Sequence, residues 1–339
     1  MSDAFNVLTI PILLAMFVAI NMGGSGTAPA FSAAYGADVI KRTMVPGLFG
    51  IMVLVGALLA GKEVSLTLGN GILEQAFFTP LNTSLILFAI GITLLGSNLI
   101  GVPQSTSQST VMAIAGAAYA LDGLNTHTLF YEIIPAWTIL PVIAFVVMLV
   151  VSHFIVPGMR SQLPTVDYKR LRRHPWLKAL LILASLYVAF SIGANNVANA
   201  AAPIASLTAN EVGVGTGESY VPIIILSILV VAPCFAIGSS LLGHAVTEST
   251  GKGIVSVTPF YATVIAGLVA TLLLLASVIK GIPTSLVQLN GGAFIALSVT
   301  KHGWGPTFSN PTVRRFFTIW GVAPAFAFFL TYGLVLLTR

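Results

Sequence analysis

Charge is scarce in this chain. Of its 339 residues only 7% are Asp, Glu, Lys or Arg, against roughly 25% in a soluble domain, so most of the surface cannot face water. That excludes a soluble enzyme and a disordered chain. Cysteine is nearly absent: Cys234 stands alone, which rules out an intramolecular disulfide, and it lies in an apolar run as a small packing residue. No nucleophile–base pair, nucleotide-binding glycine loop or cysteine cluster occurs, and His127, His153, His174 and His302 lack metal-ligand spacing. No catalytic residue, metal site or cofactor is therefore expected. What is abundant is apolar: 56% of residues are hydrophobic and the mean hydropathy is +0.97. A membrane β-barrel would alternate in polarity, so the fold class expected is an all-α polytopic membrane protein.

The net charge of +5 comes from dispersed basic residues, which suit topology marking rather than nucleic acid. A span needs about 20 apolar residues. Residues 5–22, 43–60, 84–100 and 133–156 qualify in the first half, and 176–192, 220–241, 258–279 and 316–337 in the second. The first is read as a span and not a signal peptide, because it lacks a basic start and carries Asp3. Segments 109–121 and 289–300 are too short to cross as straight helices.

The two halves match in order. Met22-Gly23-Gly24-Ser25-Gly26-Thr27-Ala28-Pro29-Ala30 aligns with Ile192-Gly193-Ala194-Asn195-Asn196-Val197-Ala198-Asn199-Ala200. Gly56, Gly61, Gly69 and Gly71 align with Gly238, Gly243, Gly251 and Gly253, and Gly101-Val102-Pro103-Gln104-Ser105 with Gly281-Ile282-Pro283-Thr284-Ser285. Trp137 and Pro141 align with Trp320 and Pro324. The chain thus divides into a first repeat at 1–156, a basic linker at 157–178 and a second repeat at 179–339, each repeat having about five crossing or re-entrant segments. With the linker cytoplasmic, only Lys62, Lys280 and Arg339 among the fifteen Lys and Arg fall outside. Both termini are then extracytoplasmic, and the repeats are inverted, as in alternating-access transporters.

Polar, glycine-rich backbone at membrane depth is tolerated where it lines a cavity or is buried in protein. Breaks are expected at Asn21–Pro29, Ser191–Asn199, Gly101–Thr110 and Gly281–Gly292, exposing helix N-termini at the midplane that bind anions. Gly24, Ser25, Gly26, Ser105, Thr106, Ser107, Asn195, Asn196 and Ser285 are the substrate-binding candidates. Close helix packing by small residues is the plainer explanation of any one glycine or serine taken alone.

These motifs resemble those of the inorganic phosphate transporter family. Gly193-Ala194-Asn195-Asn196-Val197-Ala198-Asn199-Ala200 is similar to its Gly-Ala-Asn-Asp-Val-Ala-Asn-Ala motif, and Gly101-Val102-Pro103-Gln104-Ser105-Thr106-Ser107-Gln108 to its Gly-x-Pro-x-Ser-Thr-Thr-His motif. The resemblance implies cation-coupled uptake of a tetrahedral oxyanion, inverted repeats, external termini and a homodimer. The departures decide the anion. The motif's Asp is replaced by Asn196 and Gly26, and its His by Gln108, with Gln288 in the second repeat. Hydrogen phosphate has a proton to give a carboxylate. Sulfate has none, and repulsion in a low-dielectric site is worth several kcal/mol. Sulfate is expected, and the Asn21–Gly26 pattern with Tyr35-Gly36 resembles the family's sulfate-permease branch, which implies assimilatory uptake through a bacterial plasma membrane.

For the coupling ion, Asn21, Asn199, Gln108 and Gln288 could surround sodium, but the lost carboxylates favour a proton. His244 and Glu248 lie one helical turn apart and form either the proton site or an interfacial pair. Lys62 occupies the repeat position of His244 and precedes Glu63. Lys280 either draws the anion inward or snorkels, the second being favoured. Trp137, Trp176 and Trp320 read as interfacial anchors. The rival readings are a sodium-coupled phosphate symporter and, from another class, a passive anion channel.

Overall fold

The computed structural model describes residues 2–36, 39–100, 104–157, 175–250, 254–255 and 257–339, with the side chains of 2–6, 35–36 and 244–250 outside that description. Asp38, Gly101 to Pro103, Lys252, most of the linker and the side chains of His244 and Glu248 therefore lie outside the described residues. Eight helical stretches are long and apolar enough to cross a membrane, in the places the apolar runs predict: Val7–Ala34, Arg42–Ala60, Pro80–Leu99, Thr128–Ile155, Pro175–Glu211, Tyr220–Gly243, Pro259–Lys280 and Pro311–Leu337.

In the first half the helices are α1 (Ser2–Gly36), α2 (Val45–Ala60), α3 (Lys62–Leu66), α4 (Pro80–Leu99), α5 (Thr106–Ala120) and α6 (Ile134–Val150). The second half contributes α7 (Pro175–Asn196), α8 (Ala198–Glu211), α9 (Tyr220–Thr250), α10 (Pro259–Lys280), α11 (Leu286–His302), α12 (Trp304–Ser309) and α13 (Pro311–Leu337). Their polarity is inverted relative to a soluble bundle. Large apolar side chains such as Leu59, Leu183 and Phe329 face outward, while Ser109, Thr110, Ser191, Asn195 and Asn199 have no exposed surface. An apolar exterior of this extent is a lipid-facing surface.

Packing is reciprocal between the halves. Helix α1 lies on α9 and α7 on α2; α5 lies on α13 and α11 on α6; α1 meets α4 as α7 meets α10. Small residues set the closest crossings. A Cβ on Gly23 would overlap the Phe235 carbonyl, and one on Gly193 the Val53 carbonyl. Likewise Gly238 abuts the Ile20 carbonyl and Gly56 that of Phe190. In the sequence alignment of the halves these are two contacts, each made twice.

Two expectations are corrected here. Helix α1 runs unbroken through Asn21–Pro29, with Pro11 and Pro29 inside it. Glycine costs a helix interior up to about 1 kcal/mol relative to alanine, but backbone contact with α9 at Gly23 and Gly238 outweighs that cost. Between α7 and α8 only Val197 is outside the helices, and its dihedrals stay in the right-handed region. Of the later two, the first is described only from Gln104, where Gln104–Ser105 precede α5, so the helix resumes before Thr110; in the second, Gly281–Ser285 separate α10 from α11, with Gly281 at φ +60°. Beyond Ser285 the chain is helical through Gly292, so that break ends seven residues sooner than expected.

Candidate anion site between two helix N-termini

Helices α5, α8 and α11 are short, small-residue helices buried along nearly all their length. A 15-residue helix such as α5 spans only about 22 Å at 1.5 Å per residue, less than the roughly 30 Å of hydrocarbon. Its end is therefore placed within the protein. Ser105 caps α5, its hydroxyl accepting from Gln108 N at 3.2 Å. Ser285 caps α11 identically, accepting from Gln288 N at 3.2 Å. Each cap satisfies one amide at the start of its helix, and the earlier amides remain available to an incoming acceptor.

The two N-termini are joined by their glutamines. Gln108 Nε2 donates to Gln288 Oε1 at 3.0 Å, and Gln288 Nε2 donates back to Gln108 Oε1 at 3.2 Å. Both side chains are buried. This meeting of residues 180 positions apart turns two separate motifs into one locus, where the positive ends of two helices converge. Ser105, Thr106, Ser107, Gln108, Ser285 and Gln288 are all there.

The Asn195 motif comes in from the side. Asn195 Nδ2 donates to Ser277 Oγ at 2.8 Å and to Ile282 O at 3.3 Å. Its Oδ1 accepts from Ser107 Oγ at 3.0 Å and Thr284 N at 3.3 Å. Both amide hydrogens are thus committed to protein, so in this arrangement Asn195 holds the second break in shape. Asn199 Nδ2 donates to Ser107 Oγ at 3.2 Å. The carbonyl oxygens of Asn196 and Asn199 are buried and have no hydrogen-bond partner.

The first repeat's counterpart is elsewhere. Gly24 packs on Leu242 and Gly26 near Phe49 and Ile192, with their amides inside continuous α1. Ser25 Oγ donates to Met22 O at 3.2 Å along its own helix. Asn21 donates to Phe17 O at 3.0 Å and accepts from Asn98 Nδ2 at 3.2 Å, so it ties α1 to α4.

Sequence reasoning missed two supports of the breaks. Gln104 is hydrogen-bonded to Ser97 and to Ser109, pinning the start of α5 to the end of α4. Trp137 Nε1 donates to Pro283 O at 2.9 Å, so this tryptophan holds the second break and is not an interfacial anchor. Trp320 stacks on Phe316 at 6.0 Å between centroids and lies over Gly291, again an interior role. Trp176 alone of the three is exposed, at 78%. The signal for the other two was their matched position in the alignment of the halves.

All six described acidic side chains, Glu63, Glu74, Asp122, Glu132, Glu211 and Glu218, are exposed. Several gather at one end of the molecule, where Leu73 bridges Leu124, Gln75 Nε2 donates to Asn210 Oδ1 at 3.1 Å, and Arg339 pairs with Asp122 at 3.3 Å. A cleft of about 850 Å³ opens there between Glu74 and Glu211.

Comparison with known proteins agrees with the motifs. The phosphate transporter family model matches residues 22–331. Sulfate permease CysP of Bacillus subtilis is 31% identical over 327 residues, covering 96% of this chain and 86% of that protein. A putative phosphate permease of Pyrococcus furiosus, PF1020, is 25% identical over 87% of this chain and 88% of its own length. Among solved structures, the sodium-dependent phosphate transporter superposes with a TM-score of 0.83 at 22% identity, covering 98% of this chain and 99% of that one, which shows a common fold. The chain is a multi-pass membrane transporter and belongs to the phosphate transporter family.

Proposed function

We propose that this protein imports sulfate by cation-coupled alternating access of two inverted repeats, 1–156 and 179–339, across a bacterial plasma membrane. One observation carries the choice of anion: two capped helix N-termini meet through Gln108 and Gln288 while every described carboxylate is exposed. A locus of neutral donors suits an oxyanion that carries no proton. Hydrogen phosphate would leave its hydroxyl without the carboxylate acceptor it prefers, and selectivity of this kind comes from the groups each site leaves unpaired. The similarity to a sulfate permease supports the same reading. In this reading both termini are outside. Arg339, paired with Asp122, lies on the outer side with Lys62 and Lys280, while Lys41, Arg42, Lys301, Arg314 and Arg315 lie on the cytoplasmic side. We further place the protein in a homodimer.

Coupling has two readings. The sequence favours a proton carried by His244 and Glu248. The buried, unpartnered oxygens of Asn196 and Asn199 favour sodium instead, since an amide cannot carry a proton at neutral pH but does coordinate a hard cation, and an orphaned buried acceptor calls for a partner. Labelled sulfate uptake into proteoliposomes under an imposed sodium or proton gradient separates them. Uphill uptake that excess phosphate does not inhibit is expected. Competition by phosphate at equal concentration overturns the sulfate assignment, and uptake that never exceeds equilibrium overturns coupling in favour of a channel.

A further inference from the structure

The hydroxyl hydrogen of Ser107 is committed to protein. Its hydrogen goes to Asn195 Oδ1 at 3.0 Å, and its oxygen accepts from Asn199 Nδ2 at 3.2 Å. A serine has one hydrogen to give, so this one offers none to an anion although it sits in the first turn of α5. The chain of bonds continues in both directions. Beyond Asn199 lies its own Oδ1, fully buried and unpartnered. Beyond Asn195 lie the Thr284 amide at 3.3 Å and the Ile282 carbonyl at 3.3 Å, in the segment that delivers the Ser285 cap to α11. One path therefore runs from an open oxygen on α8, through the first turn of α5, to the start of α11.

We infer that Ser107 is a positioning residue, which transmits cation binding at the Asn199 amide to both helix N-termini of the anion site. This rests on the sodium form of the coupling reading above. An asparagine side chain rotates about its Cβ–Cγ bond, exchanging the positions of oxygen and nitrogen. With Oδ1 buried and unpartnered, the observed orientation of Asn199 is not held by that oxygen, and rotation withdraws Nδ2 from Ser107. A cation on Oδ1 fixes the orientation seen. Nδ2 then stays on Ser107, the Ser107 hydrogen stays on Asn195, and Asn195 keeps Thr284 and Ile282 where α11 can be capped. Cation and anion thereby favour the same state, which is what a coupling free energy between two sites requires.

The test is equilibrium binding of labelled sulfate to the purified full-length protein in nanodiscs, in sodium chloride and in choline chloride at equal ionic strength. The wild type is expected to bind sulfate about tenfold more tightly in sodium, within the usual span of such couplings. In S107A that ratio falls below about twofold, and S107T, which restores the hydroxyl, restores the ratio. A purely structural serine would shift the melting temperature and leave the ratio alone. An S107A protein that responds to sodium as the wild type does overturns the inference. A wild type indifferent to sodium overturns the coupling reading itself, and that result needs no variant. Where S107A is not recovered folded, S107C keeps the volume, weakens the donor and carries the same contrast.

Discussion

The two copies of one motif have parted company. Met22–Ala30 and Ile192–Ala200 align in sequence between the two halves, yet the first is an unbroken stretch of α1 and the second lines the polar centre. Both keep the glycine that lets a partner helix reach backbone contact, Gly23 against Phe235 and Gly193 against Val53. They differ in the residues just after that glycine. Ser25 and Gly26 turn inward on their own helix or onto Phe49, while Asn195, Asn196 and Asn199 are buried amides, two of them bonded across helices. Packing was kept twice and polarity once. The matched contacts between the halves thus form a two-fold scaffold, while the polar chemistry settles on one side.

The largest expected effect tests the part that was kept. Replacing Gly23 or Gly193 with leucine drives a side chain into a carbonyl of the facing helix, an overpacking with no flexible neighbour to yield. Each is expected to cost about 3 kcal/mol or more, read as loss of monodisperse protein and of sulfate-independent thermal stability. Equal damage at both positions fits a shared packing role. If Gly23→Leu folded well and lost only sulfate binding, α1 would be part of the anion site after all.

Next comes the part that differs. Asn196→Asp restores the motif's carboxylate where the described structure has none and is expected to weaken sulfate binding about 100-fold, close to 3 kcal/mol at 1.4 kcal/mol per decade. Competition by phosphate should improve in the same variant. Sulfate affinity unchanged by that substitution would remove charge repulsion as the basis of selectivity. Smaller still is the effect at the glutamines, where the two halves match in chemistry. Gln108→Leu and Gln288→Leu each break both bonds of the reciprocal pair, so each should cost about 1–2 kcal/mol in stability. The double variant should cost little more than either alone. Additive losses would mean that the two amides act separately.

Much of this was legible beforehand. Eight apolar runs became eight helical stretches long and apolar enough to cross, because length and hydrophobicity are written in the local sequence. The Gly-x-Pro break of the second half was legible too, since no helix continues through Gly281 at φ +60° into Pro283. What failed was the inference from glycine to unwinding at Met22–Gly26. A glycine run marks either a break or a close crossing, and only the facing helix distinguishes them. Asn195 was identified as part of the centre, but its role depends on partners at Ser277, Ile282 and Thr284, more than eighty residues away in sequence. No local pattern reveals that both of its donors are taken. The side chains of His244 and Glu248, on which the proton reading depends, are not among those described.

The finest difference between the halves lies in their tryptophans. Trp137 and Trp320 are equivalent in the repeat, yet Trp137 Nε1 donates to Pro283 O at 2.9 Å while the buried Trp320 Nε1 has no partner. A phenylalanine fills most of the indole's volume and removes its donor. At Trp137 this strips the Pro283 carbonyl of its bond beside the start of α11, which should cost about 1 kcal/mol. At Trp320 it removes a donor that is already unpaired, so Trp320→Phe should be neutral or slightly stabilising, since burying an unsatisfied group is itself unfavourable. Thermal unfolding of the two variants side by side in the same detergent measures the contrast directly. Equal losses would mean that Trp320 finds an acceptor in solution.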